Sequence, residues 1–183
     1  MTRAKGTKFS VVGTASIDVD DKTYHARPKA TGQALKAMVI GCQLKPLRSM
    51  PGVGSFSHGM NELHRRDLVV GLQEFVASGR PILGVCLGMQ LFMDSSEENG
   101  EHQGLGFING KVEPIPMYEG KKKIRKVPNV GWNALRLSRE NAWSNTYFND
   151  VKDGDCFYFS HSFMVRSKEM SCVLGYCDYG GVK

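Results

Sequence analysis

Apolar positions follow two different rhythms on either side of residue 80. Leu68, Leu72, Phe75 and Val76 recur at the spacing of one helix face, and Gly79 can end that helix. Pro81-Ile82-Leu83-Gly84-Val85 is then a short unbroken apolar run, the pattern of a strand buried on both faces. Cys86 closes it. Leu87, Leu91 and Phe92 resume helical spacing, which predicts a helix over 87–95 and a helix, strand, helix order from Asp67 to Ser95. That order builds open parallel sheets. Ahead of it, Pro51-Gly52-Val53-Gly54-Ser55-Phe56 reads as a glycine-rich turn. Beyond it, segments 110–112, 132–137, 156–160 and 171–176 predict short strands and an antiparallel or mixed second half. Residues 1–50 have a weaker pattern: a strand over Lys8–Val12, a helix over 32–41, and then a stretch, 42–50, that carries Pro46 and basic residues where a core strand would hold β-branched ones. No internal repeat is present.

Composition fits one α/β domain over residues 1–183, with 41% apolar and 23% charged residues. No stretch approaches the roughly 18 apolar residues of a membrane helix, and no secretory apolar run follows Met1. A cytoplasmic protein without membrane contact is expected. The five cysteines, Cys42, Cys86, Cys156, Cys172 and Cys177, are odd in number and show no CxxC spacing, so reduced thiols are predicted. The net charge of +6 could suggest nucleic acid, but Lys121-Lys122-Lys123-Ile124-Arg125-Lys126 interleaves no aromatic residues. A solvated loop is the reading taken, with an acidic protein partner as the other. His25, His58, His64 and His102 share no ligand spacing, and neither a metal nor a cofactor is expected.

Gly84-Val85-Cys86-Leu87-Gly88 has the GxCxG form of a nucleophile elbow, the cysteine counterpart of GxSxG. Small flanking residues let the chain turn sharply from strand to helix and expose the side chain at the turn. A helix beginning at Leu87 would aim its free amides at Cys86 and favour the nucleophilic form. Gln90 follows one helical turn later, where its amide can reach the space that Cys86 faces. Gly52 and its neighbours could expose backbone amides for an oxyanion. Gly104-Leu105-Gly106-Phe107-Ile108-Asn109-Gly110 fits neither GxGxxG nor GxxxxGK[ST] and is predicted to be a turn entering a strand. His161, after the strand Phe157-Tyr158-Phe159, reads equally as a structural or a functional histidine.

PGVGSF at 51–56, GVCLGMQLF at 84–92, GLGFINGKV at 104–112, KVPNVGWN at 126–133 and YFSHSF at 158–163 stand in the order of the class I glutamine amidotransferases. Over about residues 51–181 the chain resembles that family, and within it the glutaminase subunits of imidazole glycerol phosphate synthase. The resemblance implies a flavodoxin-like open parallel sheet with a mixed second half and a Cys-His-Glu triad. It implies Cys86 as nucleophile and the amides around Gly52 and Val53 as oxyanion hole. Gln90, His161, Ser162 and Phe163 would line the glutamine pocket, and Trp132 and Asn133 would meet the partner. That partner would be a synthase (cyclase) subunit, a (β/α)8 barrel that receives ammonia through a channel for histidine biosynthesis. Asn129 stands where the family usually has histidine. Residues 1–50 lack the family's aspartate-tyrosine-glycine opening, as a shifted reading frame or misplaced start would produce. The family's catalytic histidine and glutamate lie in a QFHPE segment beyond a turn like Asp178-Tyr179-Gly180-Gly181, so the expectation is an incomplete and inactive chain. A glutaminase of another ammonia-using pathway, such as surface-sugar synthesis, and a non-catalytic docking module stay open as alternatives.

Overall fold

A computed structural model describes residues 11–12, 48–144, 146 and 148–182. Strand β1 is Val11–Val12, inside the stretch expected to be a strand. The helix expected over 32–41 lies outside the described residues. Strand β2, Arg48–Gly52, pairs in parallel with β3, Ile82–Cys86, Gly52 lying opposite Cys86. This corrects the turn predicted over 51–56: Pro51 and Gly52 finish a strand, Pro51 having no N–H for a ladder to lose.

Two helices join these strands. Helix α1, Phe56–Arg65, was not predicted, although Phe56, Met60 and Leu63 are spaced at i, i+4 and i+7 and face the core. Its own N-cap residue, Ser55, makes no capping bond; the carboxylate of Glu98 accepts from Phe56 N–H instead, at 2.7 Å. Helix α2, Leu68–Ala77, stands where the spacing predicts a helix, but its core face is Val69, Leu72 and Val76, with Leu68 46% exposed; Ser78 caps it and Gly79 follows with φ 74°.

The helix predicted over 87–95 is a single turn, α3, Leu87–Gln90. Chain direction changes because the 104–108 segment claims the backbone a longer helix would use: Leu105 and Phe107 N–H donate to the Leu91 and Phe92 carbonyls, both at 2.8 Å. The chain then enters β4, Met93–Ser96, which pairs antiparallel with β5, His102–Gln103, and parallel with β6, Ile108–Pro114. Leu87, Leu91 and Phe92 are buried all the same, so the hydrophobic rhythm reported burial correctly and helix length wrongly.

The second half is mixed, as predicted. A small hairpin, β7 (Tyr118–Glu119) and β8 (Lys122–Lys123), carries the basic run. Strand β9, Asn129–Leu137, lies antiparallel between β10, Cys156–His161, and β12, Val173–Cys177, and β12 pairs in parallel with β1. Strand β11, Phe163–Ser167, unpredicted, pairs antiparallel with β6. The strand expected over 171–176 begins two residues late, after a 3-10 turn at Met170–Cys172.

Two cores result. The first gathers Phe56, Leu87, Met89, Phe92, Met93 and Val112 beneath the β2–β3 pair and the β4–β6 sheet. The second packs Leu135, Trp143, Val151 and Leu174, with the Trp143 indole N–H donating to the Leu174 carbonyl at 2.9 Å. Among the described residues no helix is long and apolar enough to cross a membrane.

Candidate functional site

Cys86 is the last residue of β3 and the residue from which α3 starts, with φ 53° and ψ −117°. An L-residue meets its own backbone there, so the conformation is strained by about 1–3 kcal/mol and persists only if its surroundings dictate it. They do. A Cβ at Gly84 would come within 2.7 Å of the Met89 backbone, because α3 folds back on β3. A Cβ at Gly88 would run into the Met50 carbonyl of β2. Both glycines of GxCxG are therefore required by close backbone approach, one from each side of the turn.

The same packing brings Gly52 beside the thiol-bearing residue. It is the register partner of Cys86, and a Cβ on it would lie 3.2 Å from the Leu87 Cβ. Val53 follows with 83% of its surface exposed, and Gly54 takes φ 108°. Gln90 ends α3 and is 8% exposed, turned inward. Cys86, a free thiol, is half-buried, and among the described residues no hydrogen bond reaches its Sγ. Because α3 is one turn long, it offers the free amides of a first turn and only a small part of a macrodipole.

His161, Ser162 and Phe163 form the corner between β10 and β11. The Ser162 carbonyl accepts from Ile115 N–H at 2.9 Å, and Phe163 packs on the first core, the one that holds Leu87 and Met89. The His161 Nδ1 lies 2.8 Å from the Phe163 carbonyl and its Nε2 3.2 Å from the side-chain nitrogen of Asn129. Burial pushes its pKa below the usual value, and the bond to the Phe163 carbonyl opposes that in part. His161 also lines a cavity of about 390 Å³ with Ile115, Met164, Val173, Tyr176 and Tyr179, which includes none of Gly52, Cys86 and Gln90.

The two residues expected at the partner interface face opposite ways. Trp132, 48% exposed, stands on the outer side of β9 with Val130, and its ring meets that of Tyr158 edge-on, centroids 5.7 Å apart. Asn133 points to the other side, where its side-chain nitrogen lies 3.3 Å from both the Asn129 side-chain oxygen and the Gly131 carbonyl. The structure thus groups the expected residues into three sets: Gly52, Cys86 and Gln90 at the elbow, His161 with Asn133 through Asn129, and Trp132 on an exposed aromatic face. Asn129 and Glu98 had no assigned part in the sequence reading. Asn129 at least was marked by the departure from histidine; Glu98 acts on a residue 42 positions away and leaves no local signal.

Residues 41–181 match the family described as Glutamine amidotransferase class-I. The chain is 39% identical over 132 residues to "Imidazole glycerol phosphate synthase subunit HisH" of Rhodopirellula baltica, a match covering 72% of this chain and 60% of that protein. It is 41% identical over 133 residues to the protein of the same name from Helicobacter hepaticus and 38% over 131 residues to that of Aquifex aeolicus, each match covering 72% of this chain and 58% of the relative. The chain thus spans about three fifths of the length of these curated relatives. With the family match over residues 41–181 and an elbow of the geometry a cysteine nucleophile needs, the chain belongs to the class I glutamine amidotransferases.

Proposed function

We propose that this chain is the glutaminase part of a cytoplasmic imidazole glycerol phosphate synthase, supplying ammonia from glutamine to a (β/α)8-barrel synthase subunit for histidine biosynthesis. Cys86 Sγ, as thiolate, attacks the side-chain amide carbon of glutamine, and the carbonyl π electrons move to oxygen. Amides at Gly52 and Val53 receive that oxyanion. Collapse breaks the C–N bond, and nitrogen leaves as ammonia carrying the proton that the Cys86 thiol gave up. Water then hydrolyses the thioester, giving glutamate and restoring the thiol. Gln90 and the Ser162–Phe163 corner bind the amino-acid end of the substrate, and the exposed Trp132–Tyr158 pair meets the partner, large aromatic residues being common interface anchors.

The observation that carries this reading is Cys86 held at φ 53° between two glycines that neighbouring backbones exclude from being anything larger, with Gly52 as its register partner. The test is labelling of the folded chain by a diazoketone analogue of glutamine, the thiolate displacing N2 as the diazo carbon takes a proton. Cys86 should be alkylated first, and L-glutamine should protect it. Cys156 is the more exposed thiol. Peptide mapping that found Cys156, Cys172 or Cys177 modified while Cys86 stayed untouched would remove the nucleophile assignment.

A further inference from the structure

We infer that Asn129 is a positioning residue that, together with the Phe163 carbonyl, holds His161 in the tautomer with Nδ1 protonated and Nε2 an acceptor, and through that ring fixes the Ser162–Phe163 corner. The functional half of this rests on the reading of that corner as part of the glutamine pocket.

The direction of every bond in the chain follows from its two ends. At one end stands the Gly131 carbonyl, 3.3 Å from the Asn133 side-chain nitrogen; at the other, the Phe163 carbonyl, 2.8 Å from His161 Nδ1. A carbonyl oxygen only accepts, so both neighbours must donate. Asn133 therefore presents its NH2 group, which also lies 3.3 Å from the Asn129 side-chain oxygen and donates to it. The Asn129 amide is thereby oriented with its nitrogen toward His161 Nε2, at 3.2 Å. An amide nitrogen only donates, so Nε2 offers a lone pair and the ring is neutral with its proton on Nδ1. Turning either amide over would set two acceptors or two donors against each other. In water a free neutral imidazole prefers the other tautomer, so this one is imposed by the fold.

Asn129 is 1% exposed and starts β9 directly opposite His161, the last residue of β10. A buried amide in that place is costly unless both its ends are bonded, and here both are. The consequence for chemistry is that neither ring nitrogen of His161 is free to take a proton from a thiol. His161 serves as a strut: it holds the Phe163 carbonyl, and with it the turn from β10 into β11.

The experiment uses the full chain with 15N-labelled histidine. In the unmodified protein the His161 ring should give a protonated Nδ1 and an unprotonated Nε2 at neutral pH. Asn129→Leu removes the donor while keeping the volume; the Phe163 carbonyl still holds the proton on Nδ1, and the Nε2 signal should move to that of an acceptor with no donor. Asn129→Asp keeps the shape but faces Nε2 with an acceptor, so both ring nitrogens should carry protons; this variant decides the matter if the leucine variant does not fold. In Asn129→Leu the half-saturating concentration for labelling of Cys86 by the diazoketone analogue should rise about fivefold, on the order of one neutral hydrogen bond, and saturating labelling should be little changed. A protonated Nε2 in the unmodified protein, or ring signals that neither substitution moves, would overturn the tautomer assignment. A half-saturating concentration that stays put while the ring signals shift would overturn the positioning role. Absence of any Cys86 labelling in the unmodified protein would sink the glutaminase reading alone, since the ring signals are read without it.

Discussion

Replacing Cys86 by glycine and, separately, by alanine isolates the strain at the elbow. Both variants lack the sulfur, so their difference reports only what one Cβ costs at φ 53°, ψ −117°. At an ordinary position alanine is the more stabilising of the two by about 0.4–1 kcal/mol, because it restricts the unfolded chain. Here the backbone conformation penalises a Cβ by about 1–3 kcal/mol, while burial of that half-buried carbon returns no more than about 0.4 kcal/mol. The sign should therefore reverse, with Cys86→Gly more stable than Cys86→Ala by about 1 kcal/mol. For a chain of 183 residues that difference corresponds to a Tm higher by about 2–4 °C. Thermal and urea unfolding of both variants in one buffer measure it. An alanine variant as stable as the glycine variant, or more so, would mean that Cys86 is not strained, and the elbow argument would lose its physical basis.

Trp132→Ala should weaken binding to the cognate synthase subunit by about 2 kcal/mol, roughly 30-fold, with little effect on unfolding because the ring is half exposed; titration showing unchanged affinity on folded variant would remove Trp132 from the interface. The Glu62 carboxylate, bonded first by Arg65 and then by Arg66, has its pKa lowered from 4.5 to about 2. A depressed carboxylate stabilises the fold above its unfolded value and loses that effect as pH falls from about 4.5 toward about 2. Carboxyl NMR should place the Glu62 midpoint near the bottom of that window and should move it up in concentrated salt; a midpoint at the usual carboxylate value would refute the pairing.

What the sequence disclosed depended on whether the cause of a feature was local. The apolar run before Cys86 reports a strand buried on both sides, and GxCxG reports the elbow, because both demands fall on neighbouring residues. The place of helix α2 was legible from spacing alone. The length of α3 was not, since it is set by residues 104–108 bonding to the Leu91 and Phe92 carbonyls, and the periodicity of Leu87, Leu91 and Phe92 records only that they are buried. Helix α1 was missed because the glycines before it suggested a turn, and His58, Gly59 and Asn61 dilute the pattern of Phe56, Met60 and Leu63. At the candidate site the nearness of Gly52 and Gln90 to Cys86 was legible, and the grouping of Asn133 with His161 was not. Asn133 sits next to Trp132 in sequence, yet strand alternation sends it to the opposite face and into the chain that ends on His161.

The segment between Gly52 and Phe56 shows how a loop with little structure of its own acquires a defined place. Its first residue is fixed in the β2–β3 ladder opposite Cys86, and its last by the Glu98 carboxylate on Phe56 N–H. Between them Val53 is exposed and Gly54 takes a φ that side-chain-bearing residues avoid, so the middle contributes few contacts that would hold it. Glu98 is positioned in turn: its own N–H donates to the hydroxyl of Ser96, which is fully buried at the end of β4, and the neighbouring Glu97 N–H donates to Val112 of β6. The sheet that receives the chain after α3 therefore anchors the far end of the loop that precedes α1. Met50 completes the circuit, since its carbonyl is what forbids a side chain at Gly88. The Met50 carbonyl of β2 and the Met89 backbone of α3 thus bound the turn at Cys86, Glu98 anchors the far end of the loop that leaves its register partner Gly52, and a change at Glu98 or Met50 acts on this surround without touching the thiol.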